Sequence, residues 1–129
     1  AGAVTVLAEN GFIKVDGAIK ANSNGDANCA PNRGGNIIIG RDDETGALAK
    51  ATDVSGAQLE SNHGLVETSG DHLRTDNITV RANEWLLDPA NINIVSDATA
   101  DSNNWSPAIG SGTTQPNASA TTSNINPRI

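Results

Sequence analysis

Residues 64–94 read GLVETSGDHLRTDNITVRANEWLLDPANINI, and this stretch decides the fold. Short strand-like segments follow one another along it, with polar turn sequences between them and no helical periodicity. We expect strands at residues 64–67, 72–74, 77–80, 84–87 and 91–95. Strands this short leave backbone amide and carbonyl groups unpaired unless a neighbouring strand bonds to them, so all of these segments must join a sheet.

Two all-β architectures accommodate such strands: an antiparallel sandwich, and a β-solenoid whose equivalent strands stack one above another. Three features favour the solenoid. The strands are very short, the turns vary in length, and asparagine recurs at the expected strand starts Asn36, Asn77 and Asn91, where stacked amides can form ladders. We therefore predict that each strand pairs mainly with the equivalent strand of the coil above or below.

The N-terminal half continues the same pattern. Further strands are expected at residues 4–7, 12–15, 18–20, 36–40 and 57–60, with a weakly apolar segment at 47–50 and a polar loop at 22–35. Alternation along FIKVDG places Ile13 in the interior and directs Lys14 to solvent, as it does Lys20 in the next strand.

The organisation expected from these patterns has three parts. Residues 1–96 form β-solenoid coils, residues 97–124 form a loop or linker rich in Ser, Thr and Asn, and residues 125–129 begin a further strand. The middle part cannot bury enough apolar area to offset the entropy lost on ordering it.

Composition narrows the function. The chain has 129 residues, a net charge of −7 and 2% aromatic residues. Phosphate neutralisation needs a basic surface, so nucleic acid is excluded as a partner and anionic membranes are disfavoured. With so few aromatic side chains, the interior must be filled by Val, Ile, Leu and Ala, which suits a narrow and regular core.

The single cysteine, Cys29, has no partner for an internal disulfide and lacks the spacing of a zinc site. It is either an incidental thiol or a bridge to another chain. The chain begins AGAVTVLAENG without a recognisable signal peptide, and we take it to be a mature fragment or an excised domain. Three N-x-S/T sequons begin at Asn77, Asn104 and Asn117, and chance explains them in a chain this rich in these residues.

Candidate catalytic and metal-binding residues are few. The acidic run at Asp42, Asp43 and Glu44 lacks the spacing of an EF-hand, so a charged turn is the simpler interpretation. Residues 69–72 bring Ser, Asp and His together in sequence, whereas triad members come from separate segments that converge in space. Glu67 either faces solvent or accepts hydrogen bonds near Ser69.

Two further positions are assigned structural roles. Trp85 is expected to plug the core or the edge of a coil. Asp88 and Pro89 are expected to form a turn in which the carboxylate caps backbone amides and the proline ends the strand. No catalytic, cofactor-binding or metal-binding residue is assigned, no cofactor is expected, and we expect the chain not to be an enzyme.

Three segments taken in order resemble a known family. GGNIIIG at residues 34–40, GLVETSG at 64–70 and EWLLDPANINI at 84–94 are similar to segments of the filamentous-haemagglutinin-like exoproteins, which are large bacterial adhesins exported by two-partner secretion. His63 stands where a second glycine is common, and the stretch between the last two motifs is short for that family.

The resemblance implies a right-handed parallel β-helix, export across the outer membrane as an unfolded chain, and adhesion at the bacterial surface. Its partners would be receptors or glycans on host or neighbouring cells and an outer-membrane secretion partner. We also expect marginal stability in isolation or end-to-end self-association. Two other interpretations remain open: a carbohydrate-active β-helix enzyme, whose clustered carboxylates would act on sugars, and a Ca²⁺-binding β-module.

Overall fold

The computed structural model describes residues 2–23 and 34–89, together with the backbone of residues 92–94 and 123–125. Every regular element within these ranges is a β-strand. The described ranges accordingly contain no helix of the length and hydropathy needed to cross a membrane. The all-β prediction is confirmed for this part of the chain.

Ten strands lie in the described ranges, and eight of them are only three residues long. In chain order they are β1 (Val4–Val6), β2 (Phe12–Lys14), β3 (Ala18–Lys20), β4 (Ile37–Ile39), β5 (Ala51–Asp53), β6 (Gln58–Gly70), β7 (His72–Arg74), β8 (Thr79–Pro89), β9 (Ile92–Ile94) and β10 (Ser123–Ile125). The two long strands each serve two pairings: residues 58–61 of β6 pair with residues 79–82 of β8, and residues 65–70 pair with residues 84–89.

The strands form three stacks, and every strand pair in them is parallel. Stack A contains β1, β4 and the second parts of β6 and β8. Stack B contains β3 and the first parts of β6 and β8. Stack C contains β2, β5 and β7. In addition, β9 pairs with β10, also in parallel. An antiparallel sandwich is therefore wrong for the described residues.

The chain visits the stacks in the same order each time, and we call one pass a level. Level 1 is β1 to β3, level 2 is β4, β5 and the first part of β6, and level 3 is the second part of β6, β7 and the first part of β8. A level spans 19 residues from Val66 to its partner Trp85, but 29 residues from Ile37 to Val66. Level 2 is longer because residues 41–50 leave the stacks between β4 and β5.

A bulge lies where β6 passes from stack B to stack A. The register shifts between Ser61 and Leu65, so that residues 62–64 of β6 lie opposite the single residue Asn83 of β8. His63 adopts a left-handed conformation there, with φ of 60°. The bulge re-aims the strand at the corner between stacks B and A.

The core lies between the stacks and is aliphatic. Its fully buried members come from all three stacks and include Ile37, Ile39, Val66, Leu59 and Leu73. Because equivalent strands are in register, aliphatic side chains of successive levels lie directly above one another. The interior is filled without large aromatic residues, as the composition predicted.

Most strand predictions are confirmed to within one or two residues. The segments at 18–20 and 72–74 have the predicted bounds, and Ile13 is buried while Lys14 and Lys20 are exposed. Two details were wrong. The strand at Ala51–Asp53 was not predicted, and the segments predicted separately at 57–60 and 64–67, and at 77–80 and 84–87, each belong to one long strand, β6 and β8. The weakly apolar segment at 47–50, for which a strand or a small insertion was expected, forms isolated antiparallel bridges.

The predicted asparagine ladder does not form between Asn36 and Asn77. Asn36 precedes β4 in stack A, whereas Asn77 lies in the turn before β8, with φ of 53°. The two asparagines therefore occupy different places on their levels and cannot stack. Cys29, Asn91 and residues 97–122 lie outside the described residues, so the predictions made for them stay predictions.

Candidate functional site

The excursion at residues 41–50 carries the acidic run. A bridge between Arg41 and Leu48 closes it, and the Asp42 side chain accepts hydrogen bonds from the backbone amides of Glu44 at 2.8 Å and Thr45 at 3.3 Å. These bonds lower the pKa of Asp42 because they stabilise the charged carboxylate. Asp42 therefore holds the turn together, which matches the charged-turn interpretation.

Glu67 is the most deeply buried acidic residue of the described chain, with 1% of its side chain exposed. Its neighbours Val66 and Thr68 alternate with it along β6, and Val66 belongs to the core. Glu67 therefore lies on the outward side of stack A, in register with Ile38 and Leu86. Arg41 covers it from the excursion.

Three donors bind the Glu67 carboxylate. Arg41 donates from Nε to one oxygen and from a terminal guanidinium nitrogen to the other, the latter at 2.8 Å, and the Ser69 hydroxyl donates at 2.8 Å. The same guanidinium reaches Asp43 at 3.2 Å. This two-point fork is the strongest geometry available to an arginine–carboxylate pair.

The Arg41 hydrogen bond lowers the pKa of Glu67, and burial opposes that effect only in part. Reciprocally, the hydrogen bond to Glu67 raises the pKa of Arg41. Both groups are therefore charged at neutral pH. An anionic, fully engaged carboxylate is unsuited to act as a general acid, so the cluster is better described as a clamp between the excursion and β6.

Residues 69–72 also have structural contacts. Besides the Ser69 bond to Glu67, the Asp71 carboxylate lies 3.7 Å from the Lys50 ammonium, and His72 is buried on β7. Within residues 2–23 and 34–89, no group of three or more His, Cys, Asp or Glu residues is placed to hold a metal ion.

Trp85 and Asp88 were both assigned structural roles, and the structure confirms the role of Trp85 but not that of Asp88. Trp85 packs against the core from β8, and its indole nitrogen donates to the Thr68 hydroxyl at 3.1 Å, so the expected plug is confirmed. The predicted turn at Asp88 is wrong: Asp88 is paired with Ser69 inside β8, and Pro89 is the last residue of that strand. The continued pairing with β6 holds Asp88 extended.

A second polar cluster lies outside stack B. Asn22 donates to the Glu60 carboxylate at 2.7 Å and accepts from the backbone amide of Asn62 at 2.8 Å, while the Asn62 side chain accepts from the amide of Ser23 at 2.6 Å. These bonds join levels 1 and 2 across the surface. Sequence reasoning missed both this cluster and Arg41, because both depend on which residues the stacking of levels brings together.

Comparison of the chain with family models, with curated proteins and with solved structures gave no match.

Proposed function

We propose that this chain is a structural, non-enzymatic segment of a secreted bacterial adhesin or surface filament, built as a right-handed parallel β-helix. The observation that carries the proposal is the register. Val4, Ile37, Val66 and Trp85 follow one another as aligned partners on four successive strands of stack A. Such level-by-level stacking builds an extended rod whose stability comes from contacts between neighbouring levels.

Right-handed winding is supported by the chirality of crossover connections. Each return from one strand of a stack to the next, as from β4 to the second part of β6, links parallel neighbours through strands of the other stacks. Connections between parallel strands of one sheet are right-handed in about 98% of cases, because twisted strands favour that sense.

An attachment role is supported by how the polar groups are used. Among the described residues, three of the carboxylates that the sequence offered as candidates have structural partners: Asp42 binds backbone amides of its turn, Glu67 binds Arg41, and Asp71 lies beside Lys50. The outward positions of stacks B and C carry charged residues at each level, among them Lys14, Lys20 and Arg81, which suits many weak contacts with cell-surface receptors or glycans. Export by a two-partner system and a location at the cell surface complete the proposal.

A bead assay tests attachment. Beads coated with the chain should bind bacterial or host cells more than beads coated with a variant that cannot fold, and free chain should compete. Gly40→Val is suitable, since a Cβ at Gly40 would lie 1.9 Å from the Ser69 carbonyl oxygen. Equal binding by both kinds of bead would contradict an attachment role for the folded chain. An experimental structure wound in the left-handed sense would contradict the proposed fold.

A further inference from the structure

Asn10 and Gly11 lie in the turn that joins β1 to β2. Asn10 is exposed and has a left-handed conformation, with φ of 52°. Asparagine tolerates this conformation better than most residues do, so it suits the turn. The glycine that follows has no Cβ to shield its backbone nitrogen. The turn therefore combines an exposed side-chain amide with an unhindered nitrogen on the next residue.

These two groups can react with each other. The Gly11 backbone nitrogen gives up its proton and attacks the side-chain carbonyl carbon, Cγ, of Asn10. A bond forms between these two atoms, the bond from Cγ to Nδ2 breaks, and the leaving nitrogen departs with the proton as ammonia. Water then opens the resulting succinimide ring at one of its two carbonyls. The products are aspartate and isoaspartate, and water is the co-reactant.

The folded turn opposes the first step. The Gly11 N–H donates to the Ala8 carbonyl oxygen at 2.8 Å, and the Asn10 N–H donates to the Leu48 carbonyl oxygen at 3.2 Å. The Gly11 bond retains the proton that must be lost, and it fixes the peptide plane between Asn10 and Gly11. Ring closure requires that plane to rotate, which breaks the bond. The reaction must therefore pass through an opened state of the turn.

The same turn anchors level 1 to level 2. The Gly11 carbonyl oxygen accepts from the backbone amides of Lys50 at 2.9 Å and Ala51 at 3.3 Å, and β2 begins at the next residue, Phe12. The turn is tight, since a Cβ at Gly11 would lie 3.1 Å from the Ala8 Cβ. Isoaspartate adds a methylene group to the main chain. The lengthened turn cannot keep these hydrogen bonds and the register of β2 together.

We propose that Asn10 is a self-modification site which folding protects. The unfolded chain converts Asn10, and the isoaspartate product cannot rebuild the turn that holds level 1 on level 2. The aspartate product keeps the length of the main chain and tolerates a left-handed φ, so it still folds. The fraction of isoaspartate therefore records, irreversibly, the time that a chain has spent unfolded. This proposal does not depend on the attachment role.

Peptide mapping with mass spectrometry measures the conversion. The full chain is incubated at one mildly alkaline pH, with and without enough urea to unfold it. The Asn24–Gly25 dipeptide, outside the described residues, is an internal reference, and in urea both sites should convert at comparable rates. Without urea, Asn10 should convert at least about tenfold more slowly than in urea, the factor that corresponds to an opening free energy of about 1.4 kcal/mol.

A refolding experiment tests the consequence. Chains held in urea for increasing times are returned to buffer, and far-UV circular dichroism measures the fraction that regains the native signal. The native sequence should lose refolding yield in proportion to its isoaspartate content. Asn10→Gly is the matched control, because it keeps a residue suited to the left-handed turn and keeps Asn24, but it lacks the reactive amide. Its yield should stay constant.

Three results would overturn the proposal. They are equal conversion of Asn10 with and without urea, a loss of refolding yield as large in Asn10→Gly as in the native sequence, or isoaspartate-containing chains that refold fully. Asn10→Asp provides a further check, because it carries the new charge on a main chain of unchanged length. It should refold as the native chain does, and its failure to fold would refute the assignment of the damage to the extra methylene.

Discussion

Removing Arg41 should destabilise the fold more than removing Glu67, although the two residues bind each other. Glu67 has 1% of its side chain exposed, whereas Arg41 has 26% exposed. When Arg41 is replaced by alanine, the carboxylate is left buried without its cation. When Glu67 is replaced by alanine, the guanidinium keeps both solvent and Asp43, which lies 3.2 Å away.

The magnitudes follow from this asymmetry. Loss of one partner from a buried ion pair costs about 3–5 kcal/mol, because the remaining charge is not compensated. We expect a value in that range for Arg41→Ala and a smaller cost of about 1.5–3 kcal/mol for Glu67→Ala, the size of a hydrogen bond to a charged group. Replacing the pair by Met at 41 and Leu at 67 should restore most of the stability, since an apolar pair of similar volume avoids the cost of burying charge.

Urea denaturation followed by far-UV circular dichroism measures these differences. With a slope of about 1–3 kcal/mol per molar urea, a loss of about 3–5 kcal/mol should lower the Arg41→Ala midpoint by about 1–5 M. A larger effect from Glu67→Ala than from Arg41→Ala would refute the argument. So would a Met/Leu double variant no more stable than Arg41→Ala.

The pH dependence gives an independent check. Arg41 lowers the pKa of Glu67 in the folded chain, so this carboxylate stabilises the fold above its ordinary pKa. That contribution is lost as the pH falls through the lowered value. In Arg41→Ala the buried carboxylate can instead take up a proton, so the cost of the substitution should be smaller at pH 4 than at pH 7. An unchanged cost between these pH values would contradict the assignment.

Five further substitutions probe the backbone and the buried hydroxyls by the same denaturation assay. Gly40→Ala should cost at least about 3 kcal/mol, whereas Gly56→Ala should cost only about 1 kcal/mol. Both glycines have a left-handed φ, but only at Gly40 would a Cβ meet a carbonyl oxygen of β6. Equal costs for the two substitutions would contradict this explanation. His63→Gly should raise stability by up to about 1 kcal/mol by relieving φ of 60°, and a clear loss would show that the imidazole outweighs that strain. Thr52→Val should be neutral or stabilising, because the buried Thr52 hydroxyl has no hydrogen-bond partner among the described residues. Thr68→Val should cost about 1 kcal/mol, because it removes the acceptor of the Trp85 indole N–H. A larger cost for Thr52→Val than for Thr68→Val would contradict the hydrogen-bond assignment.

The sequence predicted the strands better than it predicted the corners. Short apolar segments such as Ile37–Ile39 and the alternation at Phe12–Lys14 depend on local pattern, and they were identified correctly. The strand at Ala51–Asp53 has no such pattern, since Thr52 and Asp53 are polar and are buried only by the levels around them. The Glu67 environment was also out of reach, because its partner Arg41 is 26 residues away and meets it only after two levels have stacked.

Aliphatic side chains alone leave the register of such a fold open. A strand shifted by two residues still directs alternate side chains inward, so burial of Ile, Leu and Val discriminates weakly between registers. The discriminating contacts are at a corner: a Cβ at Gly64 would lie 2.0 Å from the Ser61 hydroxyl and 2.6 Å from the Gly35 carbonyl oxygen. Only a glycine fits there, and only in the observed register, where Ser61 donates to that same carbonyl. The close approach of small residues therefore defines the register.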